Sequence, residues 1–168
     1  MYMIRLATNN DLENIMKIIK EIKLEMQQLN NPQWSEKDDY PNEEIFKDDI
    51  YYNTLYVLEE ENTIKGLICI DYTKRTYKQK AISNDQGKYY EINRVAVNSA
   101  YRSQNIAVRL MKFAEEIALK NNIYLLKSST EKSNVKMHKL FLKLGYSQKE
   151  LFCYNSYPGQ YYSYEKKL

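Results

Sequence analysis

Histidine and cysteine are scarce in this chain: its 168 residues hold one histidine, His138, and two cysteines, Cys69 and Cys153, far apart in sequence. Neither residue type has metal-ligand spacing, which argues against a zinc site and against a disulfide scaffold. Long apolar runs are missing too. No stretch approaches the roughly 20 residues of a membrane helix, and the opening Met1-Tyr-Met-Ile-Arg-Leu6 leads into polar residues rather than an apolar targeting core. The expected location is cytoplasmic. Segregated charge is also absent, because 25 basic and 22 acidic residues, net +3, are interspersed as in Lys17, Lys20, Glu21, Lys23 and Glu25. A nucleic-acid surface gathers its basic residues on one face, so neither nucleic acid nor membrane is an expected partner. With no repeat, no low-complexity linker and no internal boundary, residues 1–168 are expected to form a single domain large enough for a real core. The 17 tyrosines accompany many Lys, Asn and Ile, and this bias carries no functional reading by itself.

What is present centres on residues 89–145. Glu91-Ile-Asn-Arg-Val-Ala-Val97 is a β-branched run; it breaks at Tyr101-Arg-Ser-Gln-Asn-Ile-Ala107, after which Ile106, Leu110, Met111, Ala114, Ile117 and Ala118 form a one-sided helical stripe. That predicts strand, tight loop, helix. The first turn of such a helix has backbone N–H groups without intrahelical acceptors and the positive end of the macrodipole, so it can hold a phosphate without a dedicated side chain. Residues 123–126 then read as a short buried strand. Ser133-Asn134 opens a second helix with the stripe Met137, Leu140, Phe141 and Leu144, stopped by Gly145.

Earlier in the chain, residues 3–6 read as a strand and Thr8 or Asn10 as a helix cap. The stripe Leu12, Ile15, Ile19, Ile22, Met26 and Leu29 makes the helix core-facing. Asn42 followed by Glu43, Glu44, Ile45, Phe46 and Ile50 predicts a second short helix. Residues 55–59 and 64–72 form a hairpin about Glu60-Glu61-Asn62, in which Gly66 marks a bulge or a close approach. Residues 73–87, carrying Lys74, Arg75, Lys78 and Lys80, read as an exposed connection. Two last strands, 149–154 and 161–166, flank the turn composition Asn155-Ser-Tyr-Pro-Gly159.

Two of these blocks resemble a known family. Arg102-Ser-Gln-Asn-Ile-Ala107 is similar to the R/Q-x-x-G-x-G/A loop of the GCN5-related N-acetyltransferases, the GNAT superfamily. The segment from Asn134 through Leu140-Phe141 to Gly145-Tyr146 is similar to their N-x-x-A-x-x-L-Y-x-K-x-G-F block, in the family's order and spacing. The resemblance implies an α/β GNAT fold with a central mixed, mostly antiparallel sheet of about seven strands flanked by about four helices. It implies acetyl-CoA as co-substrate, with no metal. Carried onto this chain, Val95, Ala96 and Val97 would face the pantetheine, and Arg102, Ser103, Gln104, Asn105, Ile106 and Ala107 the pyrophosphate. Asn134 and Phe141 would complete the cofactor side. Without the resemblance, the same elements also describe a plain βαβ crossover with no ligand.

The implied chemistry needs a base, because an alkylammonium acceptor has a pKa of roughly 10 and must lose a proton before nitrogen attacks the thioester. Glu91 lies where some family members carry a basic glutamate; a solvated strand glutamate is the competing reading. In a regular strand Glu91, Asn93 and Val95 would share one face. A backbone N–H near Val95 or Ala96 would meet the oxyanion. Trp34 and Tyr40 fall in the region that covers the acceptor side in the family, either as pocket walls or as core plugs. Asp38, Asp39 and Glu43 could attract a cationic amine or be merely solvated, and His138 reads as a half-exposed helix residue.

The chain departs from the family pattern twice. Asn105 stands at the usual glycine, and asparagine tolerates the left-handed backbone such a loop needs. Phe141 stands where relatives place a proton-donating tyrosine. The expected function is acetyl transfer to a primary amine of a small molecule or peptide by direct attack in a ternary complex. The alternative is a GNAT-fold acyl-CoA binding or sensing domain without turnover. A homodimer is compatible with either.

Overall fold

The computed structural model describes residues 1–34, 39–72, 88–155 and 157–168. Asp38, the expected connection 73–87 and Ser156 of the last turn lie outside the described residues. The remaining chain forms one seven-stranded sheet, ordered β1-β2-β3-β4-β5-β7-β6. Its strands are β1 (Tyr2–Leu6), β2 (Leu55–Glu60), β3 (Thr63–Asp71), β4 (Tyr90–Val97), β5 (Leu125–Glu131), β6 (Ser147–Phe152) and β7 (Tyr161–Lys167). The helices are α1 (Leu12–Gln28), α2 (Glu43–Tyr51), α3 (Ile106–Lys120) and α4 (Val135–Lys143). All strand pairs are antiparallel except β4 with β5. This is the mixed, mostly antiparallel α/β architecture that the sequence implied.

Helices cover both faces of the sheet, and each face buries its own apolar cluster. On one face Ile15, Ile19 and Ile22 of α1 and Phe46 of α2 pack on Leu55, Val57, Leu67 and Cys69. On the other, Leu110, Met111 and Ala114 of α3 and Phe141 of α4 pack on Ile68, Ile70, Ile92 and Leu126. The helices start where the caps predict. Thr8 and Asp11 form a capping box ahead of α1, and the Asn42 side chain accepts from the Ile45 N–H at the start of α2.

Two elements differ from the sequence reading. β5 begins at Leu125 and runs to Glu131, beyond the expected 123–126. Its last five residues, Lys-Ser-Ser-Thr-Glu, carry no apolar signal, yet they pair residue for residue with β7. β6 likewise starts two residues earlier than the apolar pattern placed it, since it is an exposed edge strand with little hydrophobic periodicity to read.

Gly66 permits a close approach between β3 and α3. A Cβ there would lie 2.7 Å from Ile106 Cγ2 and 2.9 Å from the Ala96 carbonyl. Glycine thus lets the first turn of α3 settle against β3, which fixes where the helix N-terminus points.

Candidate active site

β4 and β5 run parallel and then part. Their ladder consists of Tyr90 with Leu126 and Glu91 with Lys127. One step further, Ser128 Oγ donates to the Ile92 carbonyl at 2.8 Å in place of a backbone rung. Beyond it the strands diverge around a cleft of about 720 Å³, whose walls include Val95, Ala96 and Val97 of β4 and Ser128, Ser129 and Thr130 of β5.

A bulge at Arg94 aims the cleft edge of β4. Asn93 pairs with Cys69 and Ala96 with Leu67, so two residues of β4 stand opposite one of β3, and Arg94 takes the left-handed φ of 50°. The register puts Glu91 and Asn93 on the α1–α2 face, whereas Val95 packs with the α3–α4 cluster. The single face expected for Glu91, Asn93 and Val95 is therefore broken by the bulge. Arg94 is enclosed, with 1% of its side chain exposed against 0% for Asp49. Its Nε and Nη2 donate to the Asp49 carboxylate at 2.7 Å each, Nη1 donates to Tyr40 Oη at 2.9 Å, and Nη2 lies 3.1 Å from Cys69 Sγ. The guanidinium thus ties α2, the segment after α1, and β3 to the bulge. Burial pushes the Cys69 thiol up to about 11 despite the opposing pull of Arg94, so this cysteine stays protonated and is not a nucleophile.

At the far end of the cleft the chain turns from the short 3-10 segment Ser99–Tyr101 into α3. Ser103 and Asn105 both adopt positive φ, 63° and 57°, and Asn105 holds the left-handed conformation expected for it. Its side chain makes no cap bond, and the first turn of α3 has no acidic residue. A helix N-terminus of this kind presents amides and a positive dipole end. Ser103, Asn105, Ile106, Ala107 and Arg102 line the cleft; Gln104 does not.

Asn134 also lines the cleft. It caps α4 through Oδ1, which accepts from the Met137 N–H at 3.3 Å, and its Nδ2 donates to Gln33 Oε1 at 3.0 Å. Trp34 and Tyr40 do both of the things weighed for them: each is buried in the α1–α2 cluster and each lines the cleft. Phe141 is not brought to the wall. It is wholly buried, stacked on Tyr164 with centroids 4.5 Å apart, while its neighbours Met137 and Leu140 line the cleft. Glu91 stands at the last paired rung, at the apex where the strands part, and is not on the cleft wall. Asp39 bonds the Asn42 side chain at 3.2 Å, and Glu43 pairs with Lys47 at 2.8 Å, so the acidic loop is engaged in local contacts. His138 is held by structure as well. Its Nε2 faces the Glu131 and Lys132 carbonyls at 3.1 Å each and therefore carries a hydrogen, while Nδ1 lies 2.5 Å from Tyr164 Oη, which also donates to Gln148 Oε1 at 3.1 Å.

Several wall residues carried no recognisable sequence signal. Tyr154 and Ser129 place their hydroxyls 2.8 Å apart across the cleft end of β5. Burial, with the charge of Glu91 adding to it, pushes the Tyr154 phenol above its usual range, so it keeps its proton at neutral pH. Tyr157 packs on both Tyr154 and Tyr40, joining the β6–β7 turn to the segment after α1. Gln33 Oε1 accepts from Thr130 Oγ1 at 3.0 Å as well as from Asn134. The polar run from Lys127 to Glu131, which an apolar-pattern reading passes over, was the available hint.

Parallel strands that part beside a helix N-terminus leave a strand edge and a set of backbone amides facing one cleft. The sequence family described as the acetyltransferase (GNAT) family matches residues 19–146, and the chain belongs to it, which makes the enzyme class acyl transfer. No match was found among curated proteins. Among solved structures, a GNAT-family acetyltransferase from Streptococcus agalactiae 2603 is similar over 99% of this chain and 95% of its own, with 23% identity and a TM-score of 0.79. The PaiA N-acetyltransferase of Thermoplasma acidophilum, solved in complex with coenzyme A, is similar over 100% of this chain and 99% of its own, with 19% identity and a TM-score of 0.75. yncA of Salmonella typhimurium, solved with its cofactor acetyl-CoA, is similar over 99% and 94%, with 15% identity and a TM-score of 0.72. These likenesses establish the GNAT fold. Among the described residues no helix is long and apolar enough to cross a membrane, and no group of three or more His, Cys, Asp or Glu is placed to hold a metal ion.

Proposed function

We propose that the chain transfers the acetyl group of acetyl-CoA to the primary amine of a small molecule or peptide, by direct attack in a ternary complex in the cytoplasm. The observation that carries this reading is the parting of β4 and β5 in line with the left-handed Asn105 and the α3 N-terminus. The residues present fit the co-substrate. The edge at Val95, Ala96 and Val97 can pair with the amides of a pantetheine arm, and the amides of residues 103–107 can hold a pyrophosphate. When bound, acetyl-CoA supplies the activated thioester. The chain's own groups orient it, and the β4 backbone beside the bulge offers N–H groups to a developing oxyanion. Glu91, at the last paired rung on the α1–α2 face, is the proposed base for the ammonium proton. Tyr154 keeps a phenolic proton on the cleft wall, where the leaving thiolate needs one and Phe141 has none to give.

Incubating acetyl-CoA with amines and measuring free thiol tests this reading. Polyamines, amino acids, aminoglycosides and peptide N-termini make up the panel, and amine-dependent thiol release is the expected result. Tight CoA binding with no release for any amine would favour the binding or sensing alternative, the reading that Phe141 supports.

CoA itself should raise thermal stability. At a hundredfold excess over its dissociation constant the expected gain is roughly 2.7 kcal/mol, read as an upward shift in melting temperature. No shift at millimolar CoA would remove the cofactor assignment. The loop geometry adds a second expectation. Asn105→Gly should bind CoA as well as or better than the parent, while Asn105→Val, forcing a β-branched residue into a left-handed backbone at a cost of roughly 1–2 kcal/mol, should weaken binding on the order of tenfold. Equal tolerance of both would show that the position needs no special backbone.

A further inference from the structure

Three charged side chains from separate parts of the chain meet where the cleft reaches the β4–α3 loop. Glu25, in the last turn of α1, accepts from both terminal nitrogens of Arg102, from Nη1 at 3.0 Å, and from Lys136 Nζ at 2.7 Å. Arg102 belongs to the loop before α3, Lys136 to the first turn of α4, and all three residues line the cleft. One carboxylate therefore bridges the cleft and occupies the cations on either side of it. Desolvation alone would raise the Glu25 pKa, but the bonds from Lys136 and Arg102 outweigh it and hold the carboxyl below its usual range. Glu25 is thus charged at neutral pH. With 28% of its side chain exposed, against 41% for Arg102 and 71% for Lys136, the bridge is within reach of solvent and can be opened.

We infer that Glu25 is a built-in competitor for the phosphate end of the cleft: a counter-anion that a ligand must displace from Arg102 and Lys136, so that the site selects ligands by the phosphates they carry. The inference rests on the acyl-CoA reading and names the residue that sets its stringency. A ligand with several phosphates can replace both ion pairs at once. A ligand without phosphate offers these cations nothing and leaves the bridge closed. Where the bridged form dominates the empty protein, the apparent affinity for a displacing ligand is lowered by the fraction of molecules that are open. The carboxylate thus weakens phosphorylated ligands and leaves neutral ones untouched.

Trp34 is the sole tryptophan and lines the cleft, so its fluorescence reports binding directly. Glu25→Gln should tighten CoA roughly tenfold if about a tenth of the parent molecules are open, and should leave the affinity for uncharged pantetheine unchanged. Glu21→Gln is the control for long-range charge. Glu21 lies one turn earlier on α1, bonds Ser99 Oγ at 2.5 Å and is not on the cleft wall, so its gain should stay within about twofold at physiological salt. CoA affinity indifferent to Glu25→Gln, or an equal gain from Glu21→Gln, overturns the inference while leaving the acyl-CoA reading in place. Failure of both parent and variant to bind CoA overturns that reading, and the inference with it.

Discussion

Asp49→Ala is expected to cost about 3–5 kcal/mol of folding stability, read from denaturant unfolding. The Arg94 guanidinium is enclosed at 1% exposure and would lose two charge-assisted bonds of 2.7 Å. What makes the loss large is the charge left buried, more than the attraction removed. Replacing Arg94 and Asp49 together by Met and Leu should accordingly lie much nearer the parent, and a double-mutant cycle should return strong coupling between the two sites. A loss below about 1 kcal/mol for Asp49→Ala, the scale of an exposed ion pair, would mean that the pair is not sealed as described. Because Arg94 is also the bulge residue of β4, CoA affinity should fall in the single variant, whereas Glu21→Gln leaves it within about twofold of the parent.

Glu91→Gln should lower turnover on the order of a hundredfold, the contribution of a positioned general base, with CoA affinity barely altered. Glutamine keeps the shape and hydrogen-bonding capacity of the side chain and removes only its basicity. Glu91 stands on the last paired rung, one residue before the strands part, and its charge is felt by the Tyr154 phenol on the cleft wall. Those two observations place a carboxylate at the apex of the strand split, near Tyr154, without putting it on the wall. Unchanged turnover and an unchanged pH profile, measured with chemistry shown to limit the rate, would take Glu91 out of the mechanism and pass the proton to solvent.

Parts of this architecture are written in short-range terms that a sequence exposes. The α3 stripe, the Asn42 cap, Gly66 at a close approach and Asn105 in a left-handed turn each follow from local sterics or periodicity, and each is found where those rules put it. The polar stretch of β5 after Leu126 was hidden because its residues are polar on both faces and are held by pairing with β7, a partner distant in sequence, as with Lys127 and Glu165. The Arg94–Asp49 pair joins residues 45 apart in sequence and has no local signature. The bulge it accompanies changes which face Val95 occupies, a consequence that strand alternation alone cannot anticipate. Family resemblance located the loop and the α4 cap, Asn134, but placed Phe141 on the cofactor side, where the structure stacks it in the core on Tyr164. Gln33, Tyr154 and Glu25 reach the site from segments whose relation to it exists only in the folded chain.

The most direct measurement of the central claim is a crystal structure of the protein with CoA. The account predicts one CoA per chain, its pantetheine running along Val95, Ala96 and Val97 between β4 and β5, its pyrophosphate on the amides of residues 103–107, and Glu25 released from Arg102. A CoA bound elsewhere on the surface, or a β4–β5 cleft that stays empty at saturating CoA, would contradict it.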